Sequence, residues 1–231
     1  MPNAWGEAVP APFRPAPTRP LRARPFARIL GAMPDTAPPV RWARLSDTAA
    51  LAFRVHADQL RKVTNIPYLS HLLAVASLVL EHGGDEDQAC AAMLHDAVED
   101  GGAAWETVIL ERFGPRVAAI VRACTDADTL PKPPWHARKR AYLAHLEAEG
   151  ADALLVSAAD KLHNARAIVS DLRTHGPAVF VRFNAGREGT LWYYEALAAV
   201  FARRLPGPLS RELSDAVAQM RHLAAGAVPS T

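Results

Sequence analysis

The stretch His95-Asp96-Ala97-Val98-Glu99-Asp100 decides how this sequence folds and where its chemistry lies. Residues three and four apart share one face of a helix, so the Glu-Asp pair is predicted to lie over the His-Asp pair. Four ionisable groups on one patch repel one another and lose hydration unless a cation neutralises them. The preceding residues Ala91-Ala92-Met93-Leu94 are apolar, which favours a buried patch over an exposed one. We therefore predict a divalent metal site with its own acid and base.

Two further segments bring candidate ligands to this patch. His71 falls in the first turn of a predicted helix with apolar neighbours, where it is either a ligand or a hydrogen-bonded core histidine. Asp160 follows the apolar run Ala153-Leu154-Leu155-Val156. A buried carboxylate needs a hydrogen-bonded partner or a metal. Asn164 lies one helical turn further along the same face.

The composition indicates a globular chain without marked charge. Half of its 231 residues are apolar, and 26 basic against 24 acidic residues leave a net charge of +2. A protein that binds DNA or RNA is expected to be far more basic, so neither is predicted as a partner. No apolar run approaches the roughly 20 residues that span a bilayer, and no signal-peptide pattern is present. The prediction is a cytoplasmic protein without a membrane partner, with Cys90 and Cys124 as buried free thiols.

Residues 1–40 differ from the rest of the chain. They hold ten of the 19 prolines and five arginines, a composition that cannot bury a core and predicts a disordered tail. Translation from a start near Met33 is an alternative explanation of this segment. Residues 41–231 are predicted to form one all-α domain, because no sustained period-two pattern occurs in them. The predicted helices cover 46–62, 68–81, 85–100, 105–113, 116–124, 136–149, 152–173, 187–204 and 210–225.

Four short motifs follow one another in a fixed order. His56–Lys62 reads H-x-x-Q-x-R-K, Pro67-Tyr68 precedes His71, 95–100 reads H-D-x-x-E-D, and 159–164 reads A-D-K-L-H-N. This order resembles the HD-domain metal phosphohydrolases, and specifically the hydrolase domain of the RelA/SpoT homologue family in its small stand-alone form, the small alarmone hydrolases. The resemblance spans about residues 45–205. It implies a single HD-domain helical bundle.

By position, the resemblance implies one Mn²⁺ ion and the residues that serve it. Two imidazoles and two carboxylates suit a six-coordinate Mn²⁺, although Zn²⁺ accepts the same donors. The second acidic pair would orient or deprotonate the attacking water, and which member is the base stays open. His56, Gln59 and His163 are interpreted as bracing or structural residues. The implied metal ligands are His71, His95, Asp96 and Asp160, and the implied catalytic residues are Glu99 and Asp100.

The implied substrate is ppGpp or pppGpp, whose 3′-pyrophosphate would be hydrolysed to leave GDP or GTP and pyrophosphate. Such a polyanion needs cations around a metal-polarised phosphate. The residues expected to bind it are Arg61, Lys62, Lys161, Asn164, Arg138 and Lys139.

Other functions remain open at this stage. The same metal site could act on (p)ppApp, on the 2′-phosphate of NADPH or on another nucleotide. A third hypothesis is a binding protein that senses an alarmone without turnover. It is disfavoured because all four ligand positions and both acids are present. The helix around Trp192 suits core packing or a dimer face, so a homo-oligomer stays open as well.

Overall fold

The computed structural model describes residues 42–61, 64–126 and 133–226, and within these ranges the chain is helical. An isolated antiparallel bridge joins Leu60 to Pro67, and the described residues contain no β-strand. The all-α prediction is confirmed, whereas the predicted tail 1–40 lies outside the described residues. The helices are α1 (Trp42–Val55), α2 (Leu69–Glu81), α3 (Glu86–Leu94), α4 (Ala97–Gly101), α5 (Ala104–Phe113), α6 (Pro115–Cys124), α7 (Trp135–Ala148), α8 (Ala151–His175), a 3₁₀ helix (Gly176–Arg182), α9 (Gly186–Arg204) and α10 (Pro208–Ala225).

The longest helix, α8, packs against α2, α3, α6 and α10. Its core positions Ala158, Ala159, Leu162 and Ala165 are fully buried. Small side chains at such positions let neighbouring helices approach closely, because protein interiors are packed without voids. Asp160 is buried between these positions and is therefore held against its neighbours rather than in solvent.

The predicted helix over 85–100 is two helices. It begins as expected, with a capping box in which Asp85 Oδ1 accepts from the Gln88 N–H at 3.0 Å and Gln88 Oε1 accepts from the Asp85 N–H at 2.9 Å. It breaks at the His-Asp pair, where His95 Nδ1 bonds the carbonyl of Ala92 at 2.8 Å. Side-chain bonds of this kind compete with the helical ladder. The break turns His95 and Asp96 inward before α4 resumes.

The first helix also ends earlier than predicted. α1 stops at Val55 rather than at Lys62, and Ser46 lies inside it rather than at its N-cap. The chain then folds back on itself, because the Arg61 N–H donates to Ile66 O at 2.9 Å and the Tyr68 N–H to Gln59 O at 2.9 Å. These two bonds place Gln59 and Arg61 beside the start of α2.

Two further expectations concern the cysteines and the membrane. Cys90 and Cys124 are buried free thiols, as predicted. Among the described residues, no helix has the length and apolar character required to cross a bilayer.

Because α8 is closely packed, a cavity beside Asp160 is expected to lower the free energy of unfolding substantially. Leu162 has no exposed surface, so we expect Leu162→Ala to lower the free energy of unfolding by about 2–5 kcal/mol. Leu73 of α2 is 50% exposed, and Leu73→Ala is expected to change that free energy by less than about 0.5 kcal/mol. Urea denaturation measures both, and equal losses in the two variants would contradict this packing.

Candidate metal centre and active site

Two imidazoles and two carboxylates converge where α2, α8 and the break before α4 meet. His71, His95 and Asp96 each offer one ligand atom, and the three atoms lie within 4.8 Å of one another. Asp160 adds Oδ1, which is 3.2 Å from His71 Nε2 and 3.7 Å from His95 Nε2. Both histidines are 1% exposed. The structure thus brings together the four side chains that the sequence predicts as ligands.

The hydrogen bonds of His95 fit a metal ligand. A carbonyl can only accept, so His95 Nδ1 carries the proton of its bond to Ala92 O. When the ring is neutral, its Nε2 lone pair therefore points at Asp96 Oδ2, 3.0 Å away. Metal-ligating histidines characteristically donate their second ring N–H to a carbonyl or a carboxylate. A donor set of two imidazoles and two carboxylates suits a divalent cation.

Both carboxylates are held ionised by their neighbours. Burial raises the pKa of Asp96, but His95 outweighs it and the pKa lies below its usual range. Burial likewise acts on Asp160, where Lys161 and the two histidines hold the pKa well below the usual range. Conversely, the carboxylates overcome burial and raise the pKa of His95 well above its ordinary value. Without a metal, His95 and Lys161 therefore balance the two carboxylates, and a bound divalent cation would take the place of the His95 proton.

Each carboxylate is also fixed by hydrogen bonds. The Tyr68 hydroxyl donates to Asp96 Oδ2. Lys161 Nζ donates to Asp160 Oδ2 and Asn164 Nδ2 to Asp160 Oδ1, each at 2.5 Å. Lys161 and Asn164, both predicted to bind substrate, are thus engaged with a predicted metal ligand.

The predicted catalytic acids lie on α4, one turn beyond the break. Asp100 Oδ2 accepts from Gln59 Nε2 at 2.8 Å, and Gln59 Oε1 lies 2.5 Å from His56 Nδ1. Glu99 Oε2 lies 3.4 Å from the backbone nitrogen of Asp126. Gln59, itself in contact with His56, therefore braces Asp100, in line with the interpretation of these two residues from the sequence.

The predicted cationic residues form a group around Asp126 and two tyrosines. Asp126 Oδ2 accepts from Arg138 Nη1 and, at 2.5 Å, from Lys139 Nζ. Lys139 Nζ lies 4.9 Å from the centre of the Tyr193 ring, and Lys161 Nζ lies 5.0 Å from that of Tyr142. Burial and the charge of Lys161 lower the pKa of Lys139. Arg138 and Lys139 are thus placed near Lys161, and through it near Asp160.

Arg61 lies against α8. Its Nη2 donates to Asn164 Oδ1 at 3.0 Å, and its Nη1 lies 3.3 Å from His163 Nδ1. Burial and the nearby charges of His71 and Arg61 lower the pKa of His163 to about 4, so His163 is neutral. The predicted substrate residue Lys62 lies outside the described residues.

The structure places three residues here whose contacts with the site the sequence did not predict: Tyr68, His163 and Asp126. Tyr68 and His163 stood inside recognised motifs, yet a motif does not say which side chains touch. Asp126 follows Thr125 in a stretch that fits the small hydrolases, and its partners on α7 were visible only as a basic cluster. The signal that could have found Asp126 is charge: two acids, Asp126 and Asp128, precede three consecutive basic residues at 138–140.

The fold and this centre define an all-helical domain with a cluster of histidines and carboxylates that could hold a divalent metal ion. The model of the HD domain matches residues 48–191. The chain belongs to the HD-domain family, and the family predicted from its motifs is confirmed.

Two of the similar proteins are named guanosine-3′,5′-bis(diphosphate) 3′-pyrophosphohydrolases. The frog Xenopus tropicalis guanosine-3′,5′-bis(diphosphate) 3′-pyrophosphohydrolase MESH1 is 40% identical over 127 residues, which are 54% of this chain and 69% of that protein. The Aquifex aeolicus guanosine-3′,5′-bis(diphosphate) 3′-pyrophosphohydrolase is 35% identical over 49% of this chain, but only 16% of its own length is matched.

A solved structure described as a metazoan orthologue of SpoT that hydrolyses ppGpp is also similar. It superposes with a TM-score of 0.65 at 27% identity, covering 81% of this chain and 99% of its own. The similarity therefore extends over nearly the whole of that solved chain.

Metal binding should stabilise this fold through Asp160. A cation that binds only the folded chain raises the unfolding free energy by about 2.7 kcal/mol at 100 times its dissociation constant. We expect a divalent metal to raise the thermal midpoint of the chelator-treated protein, and Asp160→Asn to lose most of that increase. Asp171→Asn, on the same helix, is the matched control and should keep it. An undiminished increase in Asp160→Asn would contradict the ligand assignment.

Proposed function

We propose that this chain hydrolyses the 3′-pyrophosphate of guanosine 3′,5′-bis(diphosphate) and its pentaphosphate relative. Water is consumed, the bond to the 3′ oxygen is broken, and the products are GDP or GTP and pyrophosphate. The named relatives support this activity. The observation that carries it is the placement of the acidic pair. Glu99 and Asp100 lie on α4, one turn after the predicted ligands His95 and Asp96, and Glu99 Oε2 lies 3.4 Å from the backbone nitrogen of Asp126.

The cofactor we propose is Mn²⁺, held by His71, His95, Asp96 and Asp160. Nitrogen and carboxylate oxygen donors in equal number suit this ion. When bound, it would supply Lewis-acid polarisation of a phosphoryl oxygen and of a water molecule. Zn²⁺ accepts the same donors, so the metal is to be identified by comparison of the two ions.

The acidic pair would handle the proton of the attacking water. Glu99 or Asp100 accepts this proton and aligns the water oxygen with the phosphorus atom. The Gln59 amide fixes the orientation of Asp100, and thereby which oxygen faces the reaction. The 3′ oxygen of the leaving nucleoside must gain a proton, which the same pair can return.

The cationic residues would hold the phosphates. Arg138 and Lys139 share Asp126 as a counter-ion, and Arg138 Nε has no partner among the described residues. This buried N–H is therefore available to a phosphate oxygen. We propose Arg61 and Asn164 as further phosphate-binding residues, with Lys62 added from its position in the sequence alone, and with Lys161 acting between the phosphates and Asp160. A cytoplasmic location stays a prediction from the sequence.

Product analysis with ppGpp tests this function directly. We expect GDP and pyrophosphate in the presence of Mn²⁺, and intact ppGpp after addition of EDTA. Asp96→Ala should abolish turnover, because it removes a ligand anion, whereas Asp171→Ala should retain it.

A substrate panel distinguishes the remaining alternatives. Turnover of (p)ppApp or of the NADPH 2′-phosphate at a higher kcat/KM than ppGpp would contradict the proposed substrate but keep the metal site. Tight binding of ppGpp without turnover, by metal-loaded folded protein, would contradict an enzyme and favour a sensor.

Neutral replacements of the acidic pair test their proposed role. Glu99→Gln and Asp100→Asn keep side-chain size but cannot accept a proton. The variant that removes the base should lower kcat by about 10²–10⁴-fold, while the metal still raises the thermal midpoint. Glu111→Gln, an exposed position on α5, is the control. Unchanged kcat in both acidic variants would show that neither residue is the base.

A further inference from the structure

His163 lies directly behind the predicted ligand His71. The two Nδ1 atoms are 2.8 Å apart, and the ring centres are separated by 4.9 Å. At this distance one nitrogen must carry a proton and the other must accept it. The position of that proton decides whether His71 Nε2 can bind a metal.

Arg61 determines which histidine carries the proton. A guanidinium has five N–H donors and no acceptor, and its Nη1 lies 3.3 Å from His163 Nδ1. A proton on His163 Nδ1 would face this cation, whereas a lone pair there is stabilised by it. The His163 lone pair is thus shared by Arg61 and by the Nδ1–H of His71. With a proton on Nδ1, His71 can give Nε2 to the predicted metal position. Without a metal, a proton on Nε2 would donate to Asp160 Oδ1, 3.2 Å away.

The Arg61 guanidinium is also linked to a second predicted ligand, Asp160, through Asn164. Arg61 Nη2 donates to Asn164 Oδ1 at 3.0 Å, and Asn164 Nδ2 donates to Asp160 Oδ1 at 2.5 Å. Arg61 therefore braces two of the four predicted ligands, one on α2 and one on α8. Partners of this kind fix the tautomer and the orientation of metal ligands.

We propose that His163 is a positioning residue for the metal centre. Its unprotonated Nδ1, kept so by Arg61, selects the tautomer of His71 that binds a metal through Nε2. This inference rests on the metal site of the proposed function, so its test measures metal binding apart from turnover.

Variants of His163 separate hydrogen bonding from packing. His163→Leu removes the acceptor, whereas His163→Gln retains an oxygen that can accept from His71. We expect His163→Leu to weaken Mn²⁺ binding about 10–100-fold, and His163→Gln to restore most of the affinity. Electron paramagnetic resonance of free Mn²⁺ gives the dissociation constants. His175→Leu, at the end of the same helix, should bind as the wild type does.

A spectroscopic measurement reports the tautomer itself. In the metal-free protein, ¹⁵N NMR should show a proton on His71 Nδ1. In His163→Leu that proton should be lost in favour of the Nε2–H form, which donates to Asp160. Arg61→Met should weaken Mn²⁺ binding and change the tautomer of His71 in the same direction as His163→Leu does. It is the variant to use if His163→Leu does not fold.

The outcomes are distinguishable. Wild-type affinity in both His163→Leu and Arg61→Met, or equal losses in the leucine and glutamine variants, would overturn the positioning role while leaving the metal site intact. Failure of the wild type to bind Mn²⁺ would overturn the metal site, and with it this inference.

Discussion

The structure depends on the convergence of two carboxylates and two imidazoles inside a helical core. Each of these groups loses hydration on burial, and the carboxylates repel one another, so the arrangement is costly without a compensating cation. Lys161 supplies part of the compensating positive charge, since its Nζ donates to Asp160 Oδ2. A divalent cation between the inner atoms would supply the remainder.

This constraint explains local features that otherwise look irregular. The helix that would run over 85–100 breaks at His95, whose ring bonds the carbonyl of Ala92 and so faces the centre. α1 ends early, and the backbone pairing after it returns Gln59 and Arg61 to the site. Gln59 then orients Asp100, while Arg61 engages α8. Each departure from regular structure places a side chain beside the predicted ligands or the acidic pair.

The sequence predicted the helical class, most helix boundaries and the four converging side chains. It could do so because those properties depend on local periodicity and on motifs whose order is visible along the chain. The bond between His71 and His163 was not predictable, since it joins residues 92 positions apart and depends on how α2 packs on α8. The helix break was missed for a related reason. The capping box at Asp85 and the apolar run after it predict one continuous helix, and the break at His95 depends on the contacts of its ring in the folded protein. Asp126 was passed over because its partners on α7 lie across a loop.

The central claim is that His71, His95, Asp96 and Asp160 bind one divalent cation. Anomalous diffraction from crystals grown with Mn²⁺ tests it most directly. We expect one strong anomalous peak per chain, within coordination distance of both Nε2 atoms and of Asp96 and Asp160. A peak coordinated instead by Glu99 and Asp100, or no peak in the core of crystals that retain bound Mn²⁺ elsewhere, would contradict it.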